Sequence, residues 1–265
     1  MYYTITKKNL IISSFIIFSL VAFSFAFKVF AKDTSWGLCF REANVAPEGN
    51  ASAEELLKYN AYYIDQTDEK KIYLTFDVGY EAGYTNTILD TLKEKDVKAA
   101  FFFFFFFFDS DADTVKRMDN EGHIVANHTL THPDMSKMST YEDFKAQILP
   151  NEEKYKAITG KDMQRFYRPP QGIYSTKNLE DANNLGYKTI FWSVAYVDWL
   201  KDKQPSREEA LSTLMKRVHP GAIILLHSTS QTNSQILGDF IQKLKDLGYT
   251  FSTLDKLGEN NEKIS

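Results

Sequence analysis

The sequence predicts an α/β fold in which about seven parallel strands close into a (β/α) barrel. Between residues 70 and 257, short apolar runs rich in β-forming residues alternate with segments of helical periodicity. This alternation is typical of parallel sheets. The number of alternating units favours closure into a barrel over an open sheet, and polar side chains recur where strands end, as catalytic groups do in such barrels.

Strands are predicted at apolar runs bounded by polar turns, and helices where apolar residues recur every third or fourth position. The first strand of the alternation is the run IYLTF, at 72–76. Later strands are predicted at 98–105, 123–127, 165–168, 188–193, 222–226 and 249–252. Helices are predicted at 53–58, 85–96, 112–121, 140–158, 176–185, 206–217 and 233–247.

The first thirty-one residues differ in character from the rest of the chain. Two lysines precede an uncharged apolar run at 10–27, and Val29 and Ala31 suit the −3 and −1 positions of a signal-peptidase site. The run is close to the ~20 residues that cross a bilayer. Residues 1–31 are therefore interpreted as a signal peptide or a membrane anchor, and either one places the folded part outside the cytoplasm.

The composition of the whole chain is that of a globular protein, with 43% hydrophobic and 25% charged residues. The formal net charge of −4 gives no indication of a nucleic-acid partner, since phosphate binders are usually basic. The one cysteine, Cys39, excludes an intrachain disulfide framework. We divide the remaining chain into a lead-in at 32–69, an α/β domain at 70–257 and a tail at 258–265.

Two histidines, His128 and His132, stand four residues apart in ANHTLTHPD, directly after a predicted strand. On a helical turn such a pair faces one way and can share one metal ion. The alternative is a pair of exposed or hydrogen-bonded histidines. Because the pair holds two of only five histidines and follows a strand end, we favour the metal site.

Asp77 lies at the tip of a strand in TFDVG, where a carboxylate is a base, a metal ligand or a turn-former. Arg168 lies in YRPPQG, where two prolines stiffen the chain behind it. A surface salt bridge would also explain this arginine. We favour the interpretation that Arg168 orients Asp77 and keeps it ionised.

His227 ends the apolar run GAIILLH, so it is either a satisfied core residue or a general acid. The second role requires a carboxylate on its other ring nitrogen. Asp198, in AYVDW, can supply that carboxylate, and the neighbouring Trp199 can form an apolar wall suited to a sugar ring.

Eight consecutive phenylalanines occupy 101–108. The first four or five suit a buried strand. The last three are expected in the loop after that strand, where they would expose apolar surface near the catalytic face.

Five motifs, TFDVG, HTLTH, RPPQG, VDW and LLHS, occur in this order. Together they resemble the polysaccharide deacetylases of carbohydrate esterase family four, which share the NodB-type domain and a distorted β/α barrel. Longer stretches, including SWGLCF and HPGAIILLHSTS, are similar to the sporulation-linked muramic-acid de-N-acetylases. This resemblance implies an enzyme of the wall or spore envelope that acts on peptide-free N-acetylmuramic acid in peptidoglycan strands and so enables formation of the muramic δ-lactam of spore cortex.

The resemblance also implies a role for each matched residue. Asp77 would be the base that activates water, and Arg168 the residue that pairs with it. His227 would be the acid that protonates the leaving amine, and Asp198 its partner. The backbone N–H near Gln171 would help to hold the oxyanion.

The matched histidines, His128 and His132, imply a divalent cofactor, zinc or another transition metal. Most of the family has a second aspartate as the third ligand, at the position that Val78 occupies here. We therefore expect a weak site, completed by water or substrate oxygens.

Two alternatives to muramic-acid deacetylation remain open. The substrate of the same chemistry could be N-acetylglucosamine in peptidoglycan or chitin, or an acetylated xylan. The chain could instead be a catalytically inactive wall-binding module, which Val78 and the phenylalanine run favour and the four intact catalytic matches oppose.

Overall fold

The computed structural model describes residues 34–259. The predicted signal peptide or anchor at 1–31 lies outside the described residues, as do residues 260–265 of the predicted tail. Within 34–259, none of the helices combines the length and the apolar character needed to cross a bilayer.

The strands of the described part are β1 (Thr34–Ser35), β2 (Leu38–Cys39), β3 (Glu48–Gly49), β4 (Ala61–Tyr62), β5 (Lys71–Val78), β6 (Ala100–Phe103), β7 (Ile124–Asn127), β8 (Phe166–Tyr167), β9 (Ile173–Tyr174), β10 (Lys188–Ile190), β11 (Ala222–His227) and β12 (Thr250–Ser252). The α-helices are α1 (Ala53–Leu57), α2 (Thr85–Glu94), α3 (Phe106–Ser110), α4 (Ala112–Asn120), α5 (Tyr141–Thr159), α6 (Thr176–Asn184), α7 (Arg207–Arg217) and α8 (Gln231–Asp246). Every predicted strand and helix has a counterpart here, with shifted ends.

Seven parallel strands form the main sheet, in the order β11-β5-β6-β7-β8-β10-β4, and β12 pairs with the first half of β5. Beyond β10, Val194 forms a parallel bridge to Ile224 in β11. The chain thus links one end of the strand order back to the other. The predicted distorted (β/α) barrel is confirmed.

Strand β5 shows why the strands of this sheet are continuous apolar runs in the sequence. Ile72, Phe76 and Val78 belong to the large apolar cluster that also includes side chains of α2 and α8. Tyr73 belongs to a different cluster, which includes Phe102 of the neighbouring strand β6. Because successive side chains point to opposite faces, a strand covered on both faces is apolar throughout.

The phenylalanine run does not end in an exposed loop, and that expectation was wrong. The run passes from β6 into the short helix α3, and Phe107 and Phe108 are fully buried. Their rings lie 4.9 Å and 5.4 Å from the ring of Phe103. Of the last three phenylalanines, only Phe106 is exposed, at 58%.

The predicted lead-in contributes to the barrel and to its catalytic edge. Its helix α1 begins with a capping box at Ser52, and its strand β4 pairs with β10. Trp36 donates from its backbone to the carbonyl of Gly172 at 2.8 Å and from its indole to the carbonyl of Trp192 at 3.0 Å. These bonds tie the lead-in to the turn after β8 and to the segment after β10, while the domain boundary at 69/70 stays a prediction.

Candidate active site

The proposed base and acid lie side by side at the carboxyl end of the barrel. Strand β11 pairs in parallel with β5, and the register places His227 opposite Asp77. The backbone N–H of Ser228 donates to the carbonyl oxygen of Asp77 at 3.2 Å. Two residues 150 positions apart in sequence are thus brought together by strand pairing.

Asp77 forms a buried ion pair with Arg168. The Arg168 Nη1 donates to Asp77 Oδ1 at 2.7 Å, and the arginine is 0% exposed. Its Nη2 donates to Thr75 Oγ1 at 2.8 Å and its Nε to the carbonyl of Ile190 at 3.0 Å. The guanidinium carbon lies 4.1 Å from the ring centre of Phe102. Arg168 is therefore held from several sides, and it fixes one oxygen of Asp77.

The pKa of Asp77 reflects two opposing effects. Burial alone would raise it, but the positive charge of Arg168, aided by that of His227, holds the pKa of Asp77 below its ordinary value. Burial lowers the pKa of Arg168, which remains positively charged at neutral pH. Asp77 is consequently an ionised carboxylate, able to accept a proton.

His227 is held from behind by Asp198. Its Nδ1 lies 2.7 Å from Asp198 Oδ1, and its backbone N–H donates to Asp198 Oδ2 at 2.8 Å. Burial opposes the charged imidazole, but the carboxylate of Asp198 raises the pKa of His227 above its ordinary value. With Nδ1 engaged by a carboxylate, Nε2 is the ring nitrogen left to give a proton.

Two further buried residues fix Asp198. Asn233, in the first turn of α8, donates from Nδ2 to Asp198 Oδ2 at 2.6 Å and to the carbonyl of His227 at 3.0 Å. The hydroxyl of Tyr196 donates to Asn233 Oδ1 and so sets the orientation of this amide.

Trp199 stands at the open side of this pair. Its ring centre is 5.7 Å from that of His227, and the residue is 54% exposed. A large aromatic ring exposed beside a catalytic group can stack against the apolar face of a sugar.

The two predicted metal ligands lie close together, but the segment that carries them is not the helical turn that we expected. Residues 128–132, which we call the histidine loop, are irregular, with Thr129 (φ 75°) and His132 (φ 56°) in the left-handed region. The helical explanation of the spacing was therefore wrong. The loop nevertheless brings the ring centres of His128 and His132 to 4.8 Å.

The donor atoms of this pair fit a divalent transition ion in part. His128 Nδ1 lies 2.8 Å from the carbonyl oxygen of Arg168, which only accepts, so Nδ1 carries the proton and Nε2 keeps its lone pair. That Nε2 is 3.5 Å from Asp77 Oδ2. Burial lowers the pKa of His128 to about 4 and also lowers the pKa of His132, so both rings are neutral, the form that binds metal.

A third protein ligand is missing from this arrangement. Val78 is fully buried in the apolar layer between sheet and helices, on the face of β5 away from Asp77. Within 34–259, no group of three or more His, Cys, Asp or Glu side chains has the spacing of a metal site. An ion here would have two imidazole ligands and otherwise water or substrate oxygens.

Gln171 lies three residues beyond Arg168, in the short turn Pro170–Gly172. Its backbone is left-handed, with φ 56°, and its side chain is exposed. Gly172 after it cannot carry a side chain, because a Cβ would lie 2.9 Å from the Trp192 ring and 3.0 Å from the Trp36 Cβ. The turn is thus held closely by the two tryptophans, which is what a fixed backbone donor requires.

Sequence reasoning missed three residues of this site. Thr75 could have been found, because it stands two positions before Asp77 on one strand and must share its face. Asn233 and Tyr196 gave no such indication, since the contact of Asn233 with Asp198 and that of Tyr196 with Asn233 depend on how α8 packs over the end of the sheet.

Comparison with known proteins agrees with this geometry. Residues 64–190 match the family described as polysaccharide deacetylase. The chain is 42% identical over 224 residues to the peptidoglycan-N-acetylmuramic acid deacetylase PdaA of Bacillus subtilis, covering 84% of this chain and 85% of that protein. It is 32% identical over 210 residues to a peptidoglycan-N-acetylglucosamine deacetylase of Bacillus cereus, covering 78% and 74%.

A solved structure shares the fold. The structure of Bacillus subtilis PdaA, described as a family 4 carbohydrate esterase, superposes with a TM-score of 0.82 at 40% identity, covering 88% of this chain and 98% of the other. Fold, motif order and identity all point the same way. The chain therefore belongs to the polysaccharide deacetylase family.

Proposed function

We propose that the chain is an exported peptidoglycan N-deacetylase that removes the acetyl group from peptide-free N-acetylmuramic acid. The observation that carries the proposal is that Asp77 and His227 lie opposite each other on adjacent strands. The pKa of Asp77 is lowered, which favours the carboxylate, and the pKa of His227 is raised, which favours the imidazolium. The similarity to PdaA, whose name states this substrate, supports the choice of sugar.

The reaction uses the two catalytic groups in turn. Asp77 takes a proton from water as the water oxygen bonds to the acetamide carbonyl carbon. His227 then gives the proton on Nε2 to the amide nitrogen as the carbon–nitrogen bond breaks, leaving acetate and a free amine. Each transfer typically contributes 10²- to 10⁴-fold in rate.

Other residues hold the reacting groups. Arg168 keeps Asp77 ionised and fixed. The backbone N–H near Gln171 donates to the oxyanion of the tetrahedral intermediate, a contribution of about 3–4 kcal/mol in other hydrolases. Trp199 packs against the sugar ring.

His128 and His132 would hold the divalent ion. Such an ion, when bound, polarises the acetyl carbonyl and the attacking water. Because the protein offers only two imidazoles, we expect weak binding and loss of the ion to chelators. Zinc and other transition metals suit imidazole ligands.

The proposed cellular role follows from the same resemblance. Residues 1–31 would direct export or anchor the chain in the membrane, placing it at the cell wall or in the spore envelope. The free amine of muramic acid can then condense with its own lactyl carboxyl, with loss of water, which gives the δ-lactam of spore cortex. Peptidoglycan strands are the proposed partner.

A catalytically inactive wall-binding module is the second candidate. The burial of Val78 away from the site favours it, since the third metal ligand of most of the family is lost. The intact Asp77–Arg168 and His227–Asp198 pairs weigh against it, because a module that only binds glycan needs neither pair.

The test is acetate release from peptide-stripped peptidoglycan by the purified full-length protein, with a parallel assay on chitooligosaccharides. We expect loss of one acetyl per muramic acid, seen by mass, with a chelator slowing the reaction and zinc or manganese restoring it. Preference for the chitooligosaccharide would favour the glucosamine alternative. Binding of the strands without acetate release from either substrate would favour the inactive module.

A further inference from the structure

Helix α5 carries a proline in its interior, Pro150. Proline has no N–H to donate and disturbs the turn before it. Two carbonyl oxygens of that turn bind groups outside the helix. Gln147 O accepts from the backbone N–H of Leu130 at 2.8 Å, and Ile148 O accepts from Asn127 Nδ2 at 2.9 Å. The helix is therefore tied to the segment that includes the histidine loop.

The residue after the proline makes the tie direct. Asn151 is fully buried, and its Nδ2 lies 3.0 Å from Phe103 O, 3.1 Å from Thr129 O and 3.3 Å from Asn127 Oδ1. The same Phe103 oxygen accepts the backbone N–H of His128 at 2.7 Å. One side-chain amide thus joins the end of β6, the end of β7 and the histidine loop.

The histidine loop needs such support because two of its residues are in an unfavourable conformation. Thr129 and His132 both have positive φ, which a residue with a side chain adopts at a cost unless its surroundings hold it there. Thr129 is held from both sides, since its N–H donates to Asn127 Oδ1 at 2.9 Å and its carbonyl accepts from Asn151. Its hydroxyl in turn accepts the N–H of His132 at 3.0 Å.

We propose that Asn151 is a positioning residue for the candidate metal pair, holding the histidine loop so that His128 and His132 present their ring nitrogens to one divalent ion. This inference rests on the proposed metal-assisted function. Orientation matters more here than in a three-ligand site, because Val78 supplies no donor. Two side chains bind an ion usefully only if little freedom is lost on binding.

The test measures metal affinity apart from catalysis. Metal-free full-length protein is titrated with Zn²⁺ by calorimetry, and with Co²⁺ to record the visible spectrum of the bound ion. Asn151→Leu, which removes both N–H donors at similar volume, is expected to weaken Zn²⁺ binding by about tenfold to a hundredfold, as loss of supporting partners does at other metal sites. The Co²⁺ spectrum should change with it.

Two milder variants keep the proposal testable if Asn151→Leu does not fold. Asn151→Ser retains one short donor. Gln147→Ala removes only a partly buried side chain, whose Oε1 accepts from the backbone N–H and the hydroxyl of Thr131, both at 3.2 Å. Each should weaken Zn²⁺ binding less than Asn151→Leu, but measurably.

The matched control is Asn178→Leu. Asn178 is also a buried asparagine on a helix, 1% exposed, but it bonds to Ser175 and not to the histidine loop. It should lose thermal stability and keep the Zn²⁺ affinity of the parent. Folded variants of Asn151 and Gln147 that bind Zn²⁺ as the parent does would overturn the proposal.

Acetate release, measured on the same samples, separates this inference from the proposed function. If the parent protein binds Zn²⁺ and Asn151→Ser weakens that binding, but the parent releases no acetate, the inference stands and the proposed deacetylase activity is refuted. If the parent releases acetate but binds neither Zn²⁺ nor Co²⁺, the inference is refuted and the proposed deacetylase activity stands.

Discussion

The half of the site around the proposed base, Asp77, and the half around the proposed acid, His227, are built differently. Arg168 is wholly buried, and Asp77 is only 8% exposed, so that half is closed and its charges neutralise each other. The side chain of His227 is 23% exposed, with the exposed ring of Trp199 beside it. Asp198, behind the histidine, is 1% exposed and so nearly as buried as Arg168.

The difference follows from what each half must do with its proton. A base must be ionised before substrate arrives, which a fixed counter-charge ensures. An acid must be charged and yet reach the leaving group, so its carboxylate partner stands behind it and its free nitrogen faces the open side. Removal of Arg168 and removal of Asp198 should therefore have different effects on stability and on the pH profile.

Breaking the closed half should have the largest effect. Arg168→Met leaves Asp77 as an unpaired buried charge, and removing one partner of such a pair typically costs 3–5 kcal/mol in the free energy of unfolding. The pKa of Asp77 should rise, because burial raises it and the main opposing charge is gone. Urea unfolding measures the first effect, and the acid limb of kcat/KM, moved to higher pH, measures the second.

Arg165→Ala is the matched control for that change. Arg165 is exposed and lies 3.9 Å from Glu152. Exposed pairs contribute about 0–1 kcal/mol, so this variant should unfold like the parent. Equal losses from both arginines would contradict the contrast between a buried and a surface pair.

Breaking the open half should change the pH profile more than the stability. Asp198 raises the pKa of His227 against burial, so Asp198→Asn should lower that pKa. Because His227 acts protonated, the alkaline limb of kcat/KM should move to lower pH, with a loss at neutral pH of about 10²-fold or more. An alkaline limb that stays in place would show that another group is the acid.

Removing the aromatic ring at the open side should have a smaller effect. Trp199→Ala takes away a stacking surface worth about 0.5–1.5 kcal/mol. KM should rise by the corresponding factor of about 2 to 13, with kcat and the melting temperature little changed. Steady-state kinetics on peptide-free strands measure it, and a fall in kcat at constant KM would assign Trp199 a different role.

The smallest effect is expected at the exposed position of the phenylalanine run. Phe106→Ser should leave the free energy of unfolding within about 0.5 kcal/mol, as exposed substitutions usually do. Phe107→Ala, one position on, empties a buried site and should cost about 3–5 kcal/mol. Similar losses at both positions in urea unfolding would mean that α3 does not bury the run as described.

The parallel strands and the polar residues at their ends could be predicted because they depend on local patterns. Asp77, His128 and His227 each follow or end an apolar run, and the carboxyl ends of parallel strands meet at one edge. The pairing of Arg168 with Asp77 was a chemical expectation that the 2.7 Å contact now matches.

What the sequence did not predict depends on tertiary contacts. The phenylalanine run continues into helix α3 because Phe107 packs against the buried Phe103, a contact that composition does not reveal. The left-handed Thr129 depends on a distant amide, Asn151. The joining of β4 to the main sheet depends on pairing with β10, whose paired residues lie 128 positions further along the chain.

The most direct test of the central claim is a comparison of the parent with Asp77→Asn on peptide-stripped peptidoglycan. Asparagine keeps the shape of the side chain but cannot take a proton from water. We predict that the folded variant still binds the strands while acetate release falls by about 10²- to 10⁴-fold. A folded Asp77→Asn protein that releases acetate at the parent rate would contradict the account, because the base would then lie elsewhere.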